Sequence, residues 1–103
     1  MNKCCFCDFE KKTEWYRQTS DGIVVCKDLH NRQYKYRILV VGANEMWHRE
    51  FKRFDQEEVD RFVKLGTDIA KEHIKKGKAK KIVDIDKDHL LIKSHWHLQI
   101  CLR

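Results

Sequence analysis

The strongest pattern in the sequence is one long amphipathic helix that begins at Asp55. Asp55 and Glu58 have the spacing of a capping box, in which each side chain bonds the backbone N–H of the other residue. Phe54 and Val59 have the spacing of a hydrophobic staple across the same helix start. Apolar residues then recur at helical spacing, so one face is predicted to lie in the core, with His73 as a structural residue on or beside it. The residues of this face are Val59, Phe62, Val63, Gly66, Ile69, Ala70, His73 and Ile74.

The rest of the chain is patterned as strands. Five segments alternate or run apolar as strands do, namely Thr13–Thr19, Ile23–Asp28, Tyr34–Val41, Lys80–Ile85 and Ser94–Arg103. The third turns wholly apolar in its second half, which predicts a central place in the sheet. Three strands, a helix and two strands predict an α+β fold with a mainly antiparallel five-stranded sheet and one long helix. At 103 residues we expect a single domain spanning 1–103.

The last predicted strand carries two histidines and a glutamine at every second position. Successive side chains of a strand point to opposite faces, so His95, His97 and Gln99 are predicted to share one face. The other face is apolar and predicted to be core, with Trp96, Leu98 and Ile100 on it. Imidazoles can act as metal ligands, general bases or nucleophiles near neutral pH. The alternative is a sheet edge with two solvated histidines.

Cysteines are concentrated at the N-terminus, where Cys4 and Cys7 form a Cys-x-x-Cys pair. Two thiolates at this spacing can bind one tetrahedral zinc ion, which then needs two more ligands. A redox pair is expected after a strand and at the start of a helix, so a metal site is favoured over a redox site, with a chance cluster as the remaining alternative. Cys5 has no assigned role. Five cysteines in a reducing compartment are better explained as metal ligands, reactive thiols or core residues than as disulfides.

The aromatic connection Gly42–Phe54 is predicted to be irregular and to pack on the body of the domain. His48 within it is either a packed, hydrogen-bonded histidine or a zinc ligand, and the residues alone favour the former. Met46 and the aromatic residues of this connection also offer apolar surface for a partner subunit.

A net charge of +6 indicates an anionic partner, whether a small phosphate compound, a nucleic acid or an acidic membrane. The basic run Lys75–Lys81 is explained better as a solvated helix end, where lysines complement the helix dipole and Gly77 ends the helix, than as a nucleic-acid site. No apolar run approaches the roughly 20 residues that span a bilayer. The N-terminus lacks the apolar stretch of a signal peptide, so we expect a cytoplasmic protein.

These segments together resemble the histidine-triad, or HIT-like, superfamily. The similarity covers nearly the whole chain and includes the Cys-x-Phe-Cys start at residues 4–7, a strand ending in Asp28, the capped helix and the His-x-His-Leu-Gln-Ile strand at residues 95–100. The HIT branch proper has a histidine where this chain has Gln99. The motif is therefore more similar to that of the galactose-1-phosphate uridylyltransferases and the diadenosine polyphosphate phosphorylases.

The resemblance implies a nucleotidyltransferase or hydrolase that acts on nucleoside phosphates. His97 would be the nucleophile that takes the nucleotidyl group, since imidazole attacks in its neutral form and then leaves phosphorus readily. Gln99 would bond the α-phosphate and Asp28 the ribose hydroxyls. Lys93 and Ser94 would replace the phosphate contacts that the family makes through a glycine-rich turn.

The resemblance also implies a metal and a partner. In zinc-bearing relatives two cysteines, a histidine before the capped helix and the first histidine of the motif share the metal, which here correspond to Cys4, Cys7, His48 and His95. HIT-like domains of this size commonly form homodimers, and we expect one here.

Two departures from the family pattern define the alternatives. Residues 86–94 contain no glycine, whereas the family has a glycine-rich phosphate-binding turn there, and Asp84 stands where an asparagine is usual. The alternative is a catalytically inactive, zinc-stabilised HIT-like module that binds a nucleotide or a partner. A small nucleic-acid binder using Lys75–Lys81 is a third possibility, which no recognised nucleic-acid motif supports.

Overall fold

The computed structural model describes residues 4–7, 9–28, 33–87 and 94–103. Its regular elements are β1 (Trp15–Gln18), β2 (Ile23–Lys27), β3 (Tyr36–Gly42), α1 (Gln56–Lys75), β4 (Ile82–Asp86) and β5 (His97–Leu102), with short 3₁₀ helices at Glu45–Trp47 and Phe51–Arg53. The strands form one sheet in the order β1-β2-β3-β5-β4, and each neighbouring pair is antiparallel. The predicted α+β fold is confirmed, as is the central place of the third strand.

Helix α1 begins as the sequence predicts. The Asp55 carboxylate accepts from the Glu58 backbone N–H at 2.9 Å, and the Glu58 carboxylate accepts from the Asp55 N–H at 3.1 Å. These two bonds satisfy amides that have no partner inside the helix. The predicted core face is also correct, since Val59, Phe62, Gly66, Ile69, Ala70 and His73 are buried and Val63 and Ile74 pack beside them.

The last strand is shorter than predicted. β5 begins at His97, which pairs with Val41 at the end of β3, so His95 lies before the strand rather than within it. The physical reason is that the Trp96 backbone N–H donates to the Arg49 carbonyl oxygen at 2.8 Å, which ties this part of the chain to the connection before α1. The predicted core side chains Trp96, Leu98 and Ile100 do lie in the main core.

The sheet has two covered faces. One packs on α1 and forms the main core, in which Gly66 lets the helix approach so closely that a Cβ there would overlap Ile100 and Val40. The opposite face, called here the N-terminal face, carries a smaller cluster formed by Phe6, Val24, Cys26, Leu39 and Val41, with Cys4, Phe9, Trp15 and Ala43 packed against it. The N-terminal segment is thereby held against β2 and β3, and β3 pairs with β5 at His97.

The connection from Gly42 to Phe54 packs on the domain, as predicted. Trp47 is buried, stacks on Phe54 with 6.0 Å between ring centroids, and donates its Nε1–H to the Asp21 carbonyl oxygen at 2.8 Å. Met46 is the large apolar side chain of this connection that remains exposed, with 59% of its surface accessible. No helix in the described part of the chain combines the length and the apolar composition needed to cross a membrane.

Candidate metal centre

Four side chains from three separated parts of the sequence meet next to the start of β5. Cys4 and Cys7 lie on an N-terminal turn that the Cys7 N–H closes by donating to the Cys4 carbonyl oxygen at 3.1 Å. His48 follows the first 3₁₀ helix, and His95 precedes β5. One ligand atom from each of these residues lies within 4.8 Å of all the others, so the cluster could hold a metal ion. The structure thus brings together the four residues that the family resemblance implied as metal ligands.

The sulfur atoms of the cluster lie close to the Nδ1 atoms of the imidazoles. Cys4 Sγ lies 3.4 Å and Cys7 Sγ 3.5 Å from His95 Nδ1, while Cys7 Sγ lies 3.3 Å from His48 Nδ1. The two Nδ1 atoms are 3.3 Å apart. Two sulfurs and two imidazole nitrogens therefore surround one point.

The backbone fixes the orientation of His95. Its Nε2 lies 2.6 Å from the Gly42 carbonyl oxygen, which can only accept, so Nε2 carries the proton and Nδ1 presents its lone pair to the cluster. Burial lowers the pKa of the fully buried His95 imidazole, the Gly42 carbonyl opposes this effect, and nearby His48 lowers the pKa further. A neutral imidazole is the form that binds metal. Gly42 is itself constrained, because a Cβ there would overlap the Trp47 ring.

The N-terminal cysteines differ in exposure, since Cys4 and Cys7 are half-buried and Cys5 is exposed. Partial burial, together with the neighbouring Cys4 thiol, raises the pKa of Cys7 to about 11, so in the absence of metal this thiol keeps its proton at neutral pH. A metal ion must displace that proton to bind the thiolate. Cys5, between the two, is exposed and is not part of the cluster.

His97 lies beside the cluster, on the N-terminal face. Its ring packs edge-on against Phe6 at 4.6 Å, and Phe6 also contacts the His95 ring at 5.4 Å, so both histidines point to the same side, as predicted. Only 3% of His97 is exposed. Its Nδ1 lies 3.1 Å from the His95 carbonyl oxygen, so Nδ1 carries the proton of the neutral ring and Nε2 carries the lone pair.

Gln99 and Asp28 also meet on this face. The Gln99 amide donates to Asp28 Oδ2 at 3.4 Å, and Arg37 Nε donates to the same oxygen at 3.0 Å. Asp28 is buried, so the Arg37 guanidinium compensates a carboxylate removed from water. Ser94 is exposed and precedes the cluster, and Lys93 lies outside the described residues.

Three further residues shape the site without having been predicted from the sequence to do so. They are Phe6, which contacts both histidines, Gly42, whose carbonyl orients His95, and Arg37, which pairs with Asp28. Arg37 could have been found from hairpin register, because β2 and β3 pair so that the Asp28 N–H donates to the Arg37 carbonyl oxygen at 2.9 Å. The role of Gly42 rests on a backbone atom, for which a sequence offers no signal.

Fold and site together define an α+β protein with a Cys₂His₂ cluster at the start of the strand that carries His97. Comparisons of the chain with protein-family models, with curated proteins and with solved structures found no match.

Proposed function

We propose that the Cys₂His₂ cluster binds one zinc ion. Tetrahedral zinc with Zn–S bonds of about 2.3 Å and Zn–N bonds of about 2.0–2.1 Å separates two nitrogen ligands by roughly 3.3 Å, and a sulfur from a nitrogen by roughly 3.6 Å. The corresponding distances here are 3.3 Å for the nitrogen pair and 3.3–3.5 Å for three sulfur–nitrogen pairs, Cys4–His95, Cys7–His95 and Cys7–His48, and all four ligand atoms lie within 4.8 Å of one another. Two thiolates and two imidazoles form a closed set without a position for substrate, which favours a structural metal.

Zinc in this position would join the N-terminal turn to the residue that precedes β5. The proposal includes a cytoplasmic location, where a reducing environment keeps Cys4 and Cys7 as free thiols that a metal ion can deprotonate, rather than as a disulfide. His97, two residues after the ligand His95, would then sit on a backbone fixed by the metal.

We propose further that the protein is a HIT-like nucleotidyltransferase in which His97 is the nucleophile. The observation that carries this proposal is the bond between His97 Nδ1 and the His95 carbonyl, which makes Nε2 the nucleophilic nitrogen. Nε2 attacks the α-phosphorus of a nucleoside phosphate, and the bond from phosphorus to the leaving oxygen breaks with its electron pair. The positive charge of the resulting nucleotidyl-imidazolium is stabilised at Nδ1–H by the His95 carbonyl. An acceptor oxygen then attacks phosphorus and releases neutral His97.

Gln99 favours transfer to a phosphate-type acceptor over simple hydrolysis. A carboxamide has no acidic proton to give to a leaving group, so leaving groups that depart readily as anions, such as phosphates and sugar phosphates, are preferred. Gln99 instead offers N–H donors for a phosphate oxygen, and Asp28 beside it offers a carboxylate for ribose hydroxyls. The substrate class is therefore a nucleoside diphosphate sugar or a dinucleoside polyphosphate.

A second candidate is a zinc-stabilised module that binds a nucleotide or partner without turnover. Two observations favour it: His97 is almost fully buried beneath Phe6, and Asp28 already accepts from Arg37 and Gln99. A substrate would have to displace Phe6 or approach Nε2 past it. The two candidates differ in whether His97 becomes covalently modified.

Intact mass spectrometry separates these candidates. The zinc-loaded protein is incubated with a nucleoside diphosphate sugar or a dinucleoside polyphosphate, and transfer predicts one acid-labile nucleotidyl adduct that inorganic phosphate reverses. His97→Ala should abolish the adduct, whereas Cys5→Ser, a change at an exposed position outside the cluster, should not. Nucleotide binding without an adduct, unchanged in His97→Ala, would establish the binding module. If neither an adduct nor nucleotide binding is observed, both candidates are refuted.

A further inference from the structure

The net positive charge of the chain is concentrated in the seven residues that connect α1 to β4. The chain has 22 Lys and Arg against 16 Asp and Glu, and residues 75–81 contain five lysines and no acidic residue. The other 17 basic residues balance the 16 acidic ones to within one charge. All five lysines are exposed. Such a local excess of one sign creates a strong positive potential on one part of the surface.

This connection is anchored at several points. Gly77, with φ of 77°, ends the helix, and Ala79 is buried in the main core. The backbone N–H groups of Lys80 and Lys81 both donate to the Arg103 carbonyl oxygen, at 2.5 and 3.1 Å. The lysine side chains therefore project from a fixed backbone, and Arg103 lies beside them. We call the five lysines of residues 75–81 together with Arg103 the lysine surface.

The expected role of these lysines as a solvated helix end accounts for only part of them. The helix dipole acts within the last turn of α1, which includes Lys75 and Lys76 at most. Lys78, Lys80 and Lys81 follow the helix and receive no such benefit. Within the described residues, none of the five lysines is ion-paired, while Lys12, Lys52 and Lys64 each have an acidic partner. Clustering five unpaired cations is electrostatically unfavourable without an anionic partner.

An aromatic residue lies at the same end of the sheet. The Arg103 guanidinium lies 5.9 Å from the centroid of the half-buried Tyr34 ring, and Lys35 next to it is exposed. Cations beside an aromatic ring are the combination that binds single-stranded nucleic acid, in which phosphates contact the cations and bases stack on rings. An anionic membrane is the competing partner, since clustered lysines also attract acidic lipid head groups, but exposed apolar side chains that insert into the bilayer strengthen such binding. Near the lysines the described residues offer only Val83, which is 36% exposed.

We propose that the lysine surface binds the phosphate backbone of single-stranded nucleic acid. The surface lies at the end of β5 opposite His95, because Arg103 follows the last residue of that strand and His95 precedes the first. The interaction is therefore separate from the metal cluster and from His97, and does not depend on the proposed transferase activity.

Fluorescence anisotropy with a labelled oligodeoxythymidine of about 12 nucleotides, measured between about 50 and about 200 mM KCl, tests the proposal. Six neutralised phosphates, one for each of the five lysines and one for Arg103, predict a slope of log affinity against log salt of about −4.2, and removal of three lysines should bring it to about −2.1. The test variant is Lys78→Gln, Lys80→Gln and Lys81→Gln combined, which keeps the lysines of the last helical turn. The matched control is Lys12→Gln, Lys52→Gln and Lys64→Gln combined, which removes the same charge from exposed ion pairs elsewhere and should keep the wild-type slope.

Four results would overturn the proposal. The first is wild-type protein that fails to bind the oligonucleotide at the lowest salt concentration. The second is an equal loss of affinity in both triple variants, which would indicate net charge rather than a local surface. The third is tighter binding to a duplex of the same length. The fourth is a test variant that loses the binding of the wild type to phosphatidylserine vesicles but keeps its oligonucleotide binding unchanged.

Discussion

At the scale of single residues, the N-terminal cysteines include both a candidate metal ligand and a thiol outside the Cys₂His₂ cluster. Cys7 Sγ lies within 3.5 Å of two imidazole nitrogens, whereas Cys5, two positions earlier, is exposed. The same residue type within one turn therefore has two environments. That contrast provides a matched pair of variants for testing the metal.

We predict that a chelator sharply lowers the melting temperature, because structural zinc contributes on the order of 10 kcal/mol of apparent binding free energy in small peptides. Cys7→Ser should melt like the chelated wild-type protein, and Cys5→Ser like the zinc-loaded protein. Thermal unfolding together with metal content by mass spectrometry measures both. An unchanged melting temperature after complete metal removal would contradict a structural role for the metal.

Asp21 provides a prediction for pH. The Arg61 guanidinium, which bonds both carboxylate oxygens at 2.5 and 2.8 Å, and the Thr19 hydroxyl lower the pKa of Asp21 to about 2. Because the folded-state pKa lies below the unfolded one, this carboxylate stabilises the fold at neutral pH, and the contribution is lost as pH falls from about 4 to about 2. The pair is partly exposed, so its value is about 1 kcal/mol or less.

Urea unfolding of wild type and Asp21→Asn should therefore differ near pH 6 and converge near pH 2. Arg61→Gln should reproduce that convergence, because it removes the same interaction from the other side. A difference between wild type and Asp21→Asn that stays constant over this pH range would contradict the assignment of the lowered pKa to Arg61.

At the scale of secondary-structure elements, the contact between α1 and the sheet depends on Gly66. Alanine is favoured over glycine in a helix by about 1 kcal/mol. A Cβ at Gly66, however, would overlap the buried side chains of Ile100 on β5 and Val40 on β3, so these side chains or the helix would have to shift. Overpacking of this kind costs about 1–3 kcal/mol.

We therefore predict that Gly66→Ala lowers the free energy of unfolding despite its better helix propensity. Chemical denaturation measures the change, with Lys71→Ala at an exposed position of the same helix as the control, expected within about 0.5 kcal/mol of wild type. A Gly66→Ala protein more stable than wild type would show that α1 and the sheet have room between them.

At the scale of the whole molecule, the expected homodimer stays a prediction. The structure reduces the apolar surface that the connection from Gly42 to Phe54 offers, because Trp47 and Phe54 are buried in the main core. Met46, 59% exposed, is the large apolar side chain of this connection that faces solvent. A symmetric pair centred there would cover surface that a chain of this size leaves exposed.

Light scattering at micromolar concentration should accordingly return about twice the chain mass of 12.5 kDa. Met46→Glu should shift the protein towards the single-chain mass, because it places a charge where the pair would bury an apolar side chain. A mass of 12.5 kDa for the wild type at every concentration would rule out the dimer.

Local interactions explain which features could be predicted from the sequence. The capping box of α1, its buried face and the alternation of Trp96, Leu98 and Ile100 depend on neighbours a few residues apart, and the structure contains all of them. The Cys-x-x-Cys pair likewise fixes two ligand atoms within a single turn. The residues brought together in the metal cluster were predicted by resemblance, because nothing local connects Cys4 to His95.

Tertiary structure alone decided the remaining features of the site. β5 starts at His97 because a backbone bond between Trp96 and Arg49 overrides the alternation that continues through His95. The tautomer of His95 depends on a carbonyl of Gly42, and the burial of His97 depends on Phe6, which is 91 positions away in the sequence. Such contacts join segments whose separation leaves no periodic signal, so the sequence by itself determined the elements and their faces, and only the folded chain determined how their ends meet.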